Sequence, residues 1–268
     1  MLFSWLQRRR RQQLLAAPCP PQWEAILEAN VHHYRRIEPQ QQARLRDWVR
    51  IFVAEKHWTG CGGLDLTDEI RVTIAGNAGL LALGTTDFYF DKVQSLLVYP
   101  DDYRRPDASP EGELVDEEAA FHGEAWHRGP IVLSWREIRR NIRSRGSGRN
   151  LVLHELAHHL DDLDGSMGGT PPLENRRQYD RWQQVMSREY DELVESVQRG
   201  WPTLIDSYGA TSRAEFFAVT TECFYERPIE LYSEHEELYE LLAQFYRLDP
   251  AEWFARPLPP ALPRDELR

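Results

Sequence analysis

The chain has 268 residues, 41% of them hydrophobic and 11% aromatic, which is ample for a packed core. A formal net charge of −11 argues against a direct nucleic-acid partner, because phosphate affinity comes from neutralising cations that such a surface lacks. No uncharged apolar run approaches the roughly 18 residues that cross a bilayer, which excludes an integral membrane protein.

The start, MLFSWLQRRRRQQLLAAPCPP, places its charges after a short apolar piece, the reverse of a secretory signal, so the expected location is the cytoplasm. Cys19, Cys61 and Cys223 are widely separated and form no C-x-x-C pair, which points neither to a disulfide framework nor to a cysteine zinc site. Residues 1–20 read as a loosely held basic segment. Arg8 to Arg11 with Phe3, Trp5 and Leu6 offer contact with an anionic membrane surface as the alternative.

From Pro20, WEAILEANVHHY and PQQQARLRDWVRIFVAEKHW read as amphipathic packing helices, with Leu45, Trp48, Val49, Phe52 and Val53 at helical spacing. His32, His33 and His57 lie here without other ligand types beside them and are assigned no chemistry. After the turn at Gly60 to Gly63, the alternating Arg71 to Ile74 reads as a strand leading into a small-residue helix. SLLVYP (Ser95 to Pro100) and GPIVLSW (Gly129 to Trp135) read as further strands, with an acidic loop from Asp101 to Glu118 between them. Arg136 to Ser144 reads as a short basic helix. Beyond Pro172 come three helical stretches: NRRQYDRWQQVMSREYDELVESVQ, then about Arg213 to Tyr225, then about Glu234 to Tyr246. A proline-rich tail, residues 255–268, is expected to be extended or disordered. Helices at both ends of a few short strands imply α+β, folded as a single domain.

The stretch LVLHELAHHLDDLDG, Leu151 to Gly165, carries the chemistry. His154 and His158 stand four apart, so a helix puts both imidazoles on one face with Glu155 about 100° round beside them. That pattern, H-E-x-x-H, suits zinc held by two neutral imidazoles, with Glu155 as general base for peptide hydrolysis. Leu151, Val152, Leu153, Leu156, Ala157 and Leu160 mark a helix meant to be buried, where unpaired polar groups are costly. A third ligand is needed. In SYGATSRAEFFAVTTECFYERP a helix capped by Thr211 or Ser212 places Glu215 and Glu222 two turns apart on one face, and either can ligate. Asp161 or Asp162 is placed to receive the free ring N–H of His158, or else simply to end the helix.

These segments, with RVTIAGNAGLLAL, SLLVYP and GPIVLSW, resemble the Mlc titration factor A family of bacterial zinc metallopeptidases over roughly residues 45 to 250. The downstream Tyr-x6-Glu-Phe-Phe-Ala piece is also similar to the catalytic domain of anthrax lethal factor. The resemblance implies a zincin-like fold, a small mixed sheet with the H-E-x-x-H helix and flanking helices. It implies His154, His158 and Glu215 as Zn²⁺ ligands, Glu155 as general base and Tyr208 as the phenol that hydrogen-bonds the oxyanion. Glu222 then supports the site or satisfies the core. Some family members carry an additional histidine near the metal; here Glu113 to Asp116 has none, and His122 and His127 lie nearer as candidates to line the cleft. The family leans to aminopeptidase activity. It also implies a partner, a sugar-responsive transcriptional repressor of the Mlc kind, so the rival reading is a non-catalytic protein that titrates such a repressor. A purely structural zinc site is disfavoured, because no fourth protein ligand stands at suitable spacing.

Overall fold

A computed structural model describes residues 2–101, 129–144 and 146–255, with side chains from residue 5. The elements run α1 (Leu2–Ala16), α2 (Pro21–Asn30), α3 (Pro39–Glu55), β1 (His57–Gly60), α4 (Asp68–Ala82), β2 (Ser95–Tyr99), β3 (Ile131–Ser134), α5 (Trp135–Arg143) and α6 (Leu151–Asp161). They continue as α7 (Arg176–Gln198), α8 (Arg213–Glu226), α9 (Pro228–Glu234), α10 (Glu236–Tyr246) and α11 (Pro250–Ala255). The described residues are mostly helical around one small sheet, in keeping with α+β. Most of the acidic loop, together with His122 and His127, and all but the first residue of the proline-rich tail lie outside the described residues.

The sheet has the order β1-β2-β3, with Leu96 paired to Trp58 on one side and to Ile131 on the other. Among the described residues every pairing is parallel, which corrects the expected mixed sheet. Parallel strands need crossovers, and α4 supplies the one between β1 and β2. Strand β3 stops where Ser134 caps α5, its hydroxyl accepting the Glu137 N–H at 3.1 Å.

The strand expected at Arg71 to Ile74 is instead the second turn of α4. Thr67 caps this helix through the Ile70 N–H, and Asp68 and Glu69 sit in its first turn, where the helix dipole favours them. Ile70 and Val72 to Ala82 are all buried. A helix covered all round shows no amphipathic stripe, so its β-branched start mimics a strand. Gly76 and Gly79 let α2 and α3 approach closely: a Cβ on Gly76 would lie 2.5 Å from Leu27 Cδ2, and one on Gly79 would meet Leu45 and lie 2.9 Å from Trp48 Cε3. Gly79→Ala should therefore lower stability by about 1–2 kcal/mol, overpacking outweighing the helix-propensity gain. Urea unfolding checks this; a raised midpoint would mean the helices have slack.

The basic amino-terminal segment, expected to be loose, is helix α1. Arg11 anchors it with two hydrogen bonds to Glu55, 2.9 and 2.7 Å, and one to Asp91, 2.6 Å, while stacking on Tyr89. The helix expected from about Glu234 to Tyr246 is preceded by a separate short helix, with the break between α9 and α10 at His235. The described helices include none long and apolar enough to cross a membrane.

Candidate metal centre

Helix α6 starts at Asn150, whose side-chain oxygen accepts the Leu153 N–H. Its face of Val152, Leu153, Leu156, Ala157 and Leu160 is buried, leaving His154, Glu155 and His158 half-buried on the other side. Helix α8 packs against it. Ser212 caps α8 by accepting the Glu215 N–H at 3.1 Å, and everything from Ala214 to Glu226 is buried.

The two helices bring three donors together. Glu215 Oε1 lies 3.0 Å from His158 Nε2, Glu215 Oε2 lies 3.1 Å from His154 Nε2, and the two Nε2 atoms are 3.2 Å apart. Three donors bound tetrahedrally to one ion at 2.0–2.1 Å stand about 3.3 Å from each other, and these separations, which end on the two oxygens of Glu215, are close to what a zinc ion requires. Glu215 Oε2 and His158 Nδ1 are buried with no hydrogen-bond partner, despite the short distance from Glu215 Oε2 to His154. Burial opposes charge on both His154 and Glu215, yet the pair overcomes it. The carboxylates of Glu215 and Glu222 hold His154 well above the usual imidazole range, and the imidazoles bring Glu215 down to about 2. The site calls for positive charge, and its donors suit a metal ion.

Glu222, two turns along α8, reaches the other nitrogen of the same imidazole. Its Oε2 is 3.1 Å from His154 Nδ1, and its Oε1 accepts the Asn150 N–H at 2.5 Å. A carboxylate on Nδ1 puts the proton there and leaves the Nε2 lone pair facing Glu215 and His158. Asp161 does not take the corresponding place beside His158. It accepts the Gly169 and Thr170 N–H groups at 2.7 and 2.6 Å, tying the following loop to the end of α6, and burial lifts its carboxyl to about 6. His158 Nδ1 donates no hydrogen bond to Asp162 either.

Tyr208 lies in a 3-10 turn, Ser207–Ala210, with its ring 6.2 Å from that of His154 and 38% of its surface exposed. The turn starts at Asp206, whose Oδ1 accepts the Tyr208 N–H at 3.0 Å while Oδ2 is gripped by Arg149 at 2.8 and 2.6 Å. Sequence reasoning missed this Arg149–Asp206 clamp; the aspartate two residues before Tyr208 was its only local signal.

A mostly helical α+β chain with a two-imidazole, one-carboxylate cluster has the donor set of a metal-binding protein. The model of the family described as Glucose-regulated metallo-peptidase M90 matches residues 5–247, and the chain belongs to that family of metallopeptidases. Uncharacterized protein slr2042 of Synechocystis sp. is 40% identical over 249 residues, 92% of this chain and 90% of the relative. Mlc titration factor A of Klebsiella pneumoniae (strain 342) is 28% identical over 236 residues, 86% of this chain and 87% of the relative. Its namesake in Escherichia fergusonii is 29% identical over the same shares. The resemblance to Mlc titration factor A read from the sequence stands.

Proposed function

We propose that the chain is a zinc-dependent peptidase, aminopeptidase-like and built as a single zincin-like domain, in which His154, His158 and Glu215 hold the ion. The observation that carries this reading is the convergence of donor atoms, with Glu215 Oε1 3.0 Å from His158 Nε2, Glu215 Oε2 3.1 Å from His154 Nε2 and the two nitrogens 3.2 Å apart. Zinc in such a place supplies Lewis-acid polarisation of a carbonyl and a water acidic enough to attack near neutral pH. Glu155, next to His154 and half-buried, takes the proton from the attacking water and returns it to the leaving amine. Tyr208 donates its phenol O–H to the oxyanion, held in place by the Asp206 turn. Glu222 fixes the tautomer and orientation of His154. Strand β3, outermost in the sheet among the described residues and packed beside α6, is where an extended peptide would add as a further strand.

The purified protein should contain at least one zinc per chain. Removing it with a chelator should cut hydrolysis of aminoacyl and peptide substrates at least about 100-fold, with recovery on adding zinc back. Hydrolysis that ignores the chelator, or a chain that takes up no zinc when supplied with it, would overturn the reading.

A second role is supported by the relatives' name, Mlc titration factor A: capture of a repressor of the Mlc kind in the cytoplasm. The net charge of −11 suits docking onto the basic face of a DNA-binding protein. The free state of Cys19, Cys61 and Cys223 suits a reducing compartment.

A further inference from the structure

A second group of imidazole and carboxylate donors lies apart from the centre described above. His32 and His33 occupy the turn between α2 and α3, Glu226 ends α8, and one donor atom from each falls within 4.8 Å of the others. His33 is fully buried, with Nε2 at 2.8 Å from the carbonyl oxygen of Tyr225. A carbonyl only accepts, so Nε2 carries the proton and the Nδ1 lone pair is left buried without a partner. Metal-ligating histidines are in this state, one ring N–H given to a backbone carbonyl and the other nitrogen free to bind.

His32 Nδ1 is likewise buried without a hydrogen bond. It stands 3.8 Å from Glu226 Oε2, beyond hydrogen-bond reach. The other oxygen of Glu226 accepts from Asn150 Nδ2 at 2.9 Å, which orients the carboxylate. Aromatic rings close the surroundings, with Phe254 against His32 and Trp253 and Tyr225 against His33. A cavity of about 20 Å³, lined in part by His32, Asn77, Asn150 and Glu226, adjoins the group and has room for one water. Arg36, stacked on Phe254, brings an opposing positive charge to His33, while the Glu226 carboxylate acts on that ring in the other direction. Buried ring nitrogens without a partner are costly, and two stand side by side here. One cation would satisfy both.

We infer that His32, His33 and Glu226 form a second site for a divalent transition-metal ion of the zinc class, distinct from the His154, His158 and Glu215 centre. Two neutral imidazoles and a carboxylate are zinc donors, and the adjoining cavity lets solvent complete the coordination. An ion here pins the turn after α2 to the carboxyl end of α8. The two centres share a scaffold, since Asn150 holds Glu226 with its side chain and Glu222 with its N–H, and Glu222 holds His154.

The test uses the full chain carrying His154→Ala and His158→Ala, stripped of metal and dialysed against Zn²⁺ alone. About one zinc per chain should remain by mass spectrometry, and the melting temperature should rise by several degrees over the stripped sample. Adding His32→Ala, or the milder His32→Gln, should abolish both effects while leaving the stripped melting temperature near that of its parent. As a check that does not need the double variant to fold, the otherwise unaltered chain should hold about two zinc ions, falling to about one in His32→Ala. No zinc in the double variant, or zinc retained after the His32 change, would overturn the inference. A single ion lost with His32→Ala but kept in His158→Ala would support this site and count against the first.

Discussion

Glu155→Gln is expected to lower peptide hydrolysis by about 1,000-fold, within the range that a positioned proton-transfer group contributes, while zinc content stays unchanged. Glutamine matches the shape of glutamate and keeps a hydrogen-bonding carbonyl, but it cannot accept a proton from the attacking water. The side chain lies on the helix face of His154 and His158 and is half-buried, so its replacement leaves the packed face of Leu153, Leu156 and Leu160 untouched. Melting temperature and metal content are the controls. Both unchanged with hydrolysis lost is the expected result; hydrolysis within a few-fold of the parent would remove Glu155 as the base. The same variant separates the two proposed roles, since capture of a repressor needs no proton transfer and should survive.

Glu215→Ala is expected to weaken zinc binding by more than about 100-fold, since even an outer partner of a metal ligand is worth about 10–100-fold. The comparison is cleanest in a His32→Ala background, where only the first centre is counted. Glu222→Gln should fall between the parent and Glu215→Ala, because it loosens His154 without removing a donor. The dependence on pH has a definite sign. In the metal-free centre His154 is held well above the usual imidazole range, so its proton competes with zinc and affinity should rise as pH increases through neutrality. Zinc content unchanged by Glu215→Ala would require another third ligand.

The residues legible in the sequence were those whose partners are close along the chain. His154, Glu155 and His158 fall within five residues, and the apolar neighbours of α6 announce its burial. Glu215 and Glu222 could not be ranked by spacing alone, and the structure shows why: both carboxylates reach His154, one at Nε2 and the other at Nδ1. Only the family resemblance separated their expected roles. Helix α4 was misread because burial on every side erased the periodicity that distinguishes helix from strand. The group formed by His32, His33 and Glu226 was invisible for a different reason, since its members meet only when the two ends of the chain fold together. Of the two readings open for Asp161, the structure takes the second: it ends α6, and its oxygens are taken up by Gly169 and Thr170.

Asn150 shows how narrowly chemistry can define a position outside the donor groups themselves. Its oxygen accepts from Leu153, and its amide nitrogen donates at once to Asn77 and Glu226. Aspartate has nearly the same outline but offers no donor, so it would aim a third negative charge at Glu226 and Glu222. Leucine would fill the space and strand every partner. A single nitrogen atom thus ties the start of the helix bearing the imidazoles to the end of the helix bearing the carboxylates.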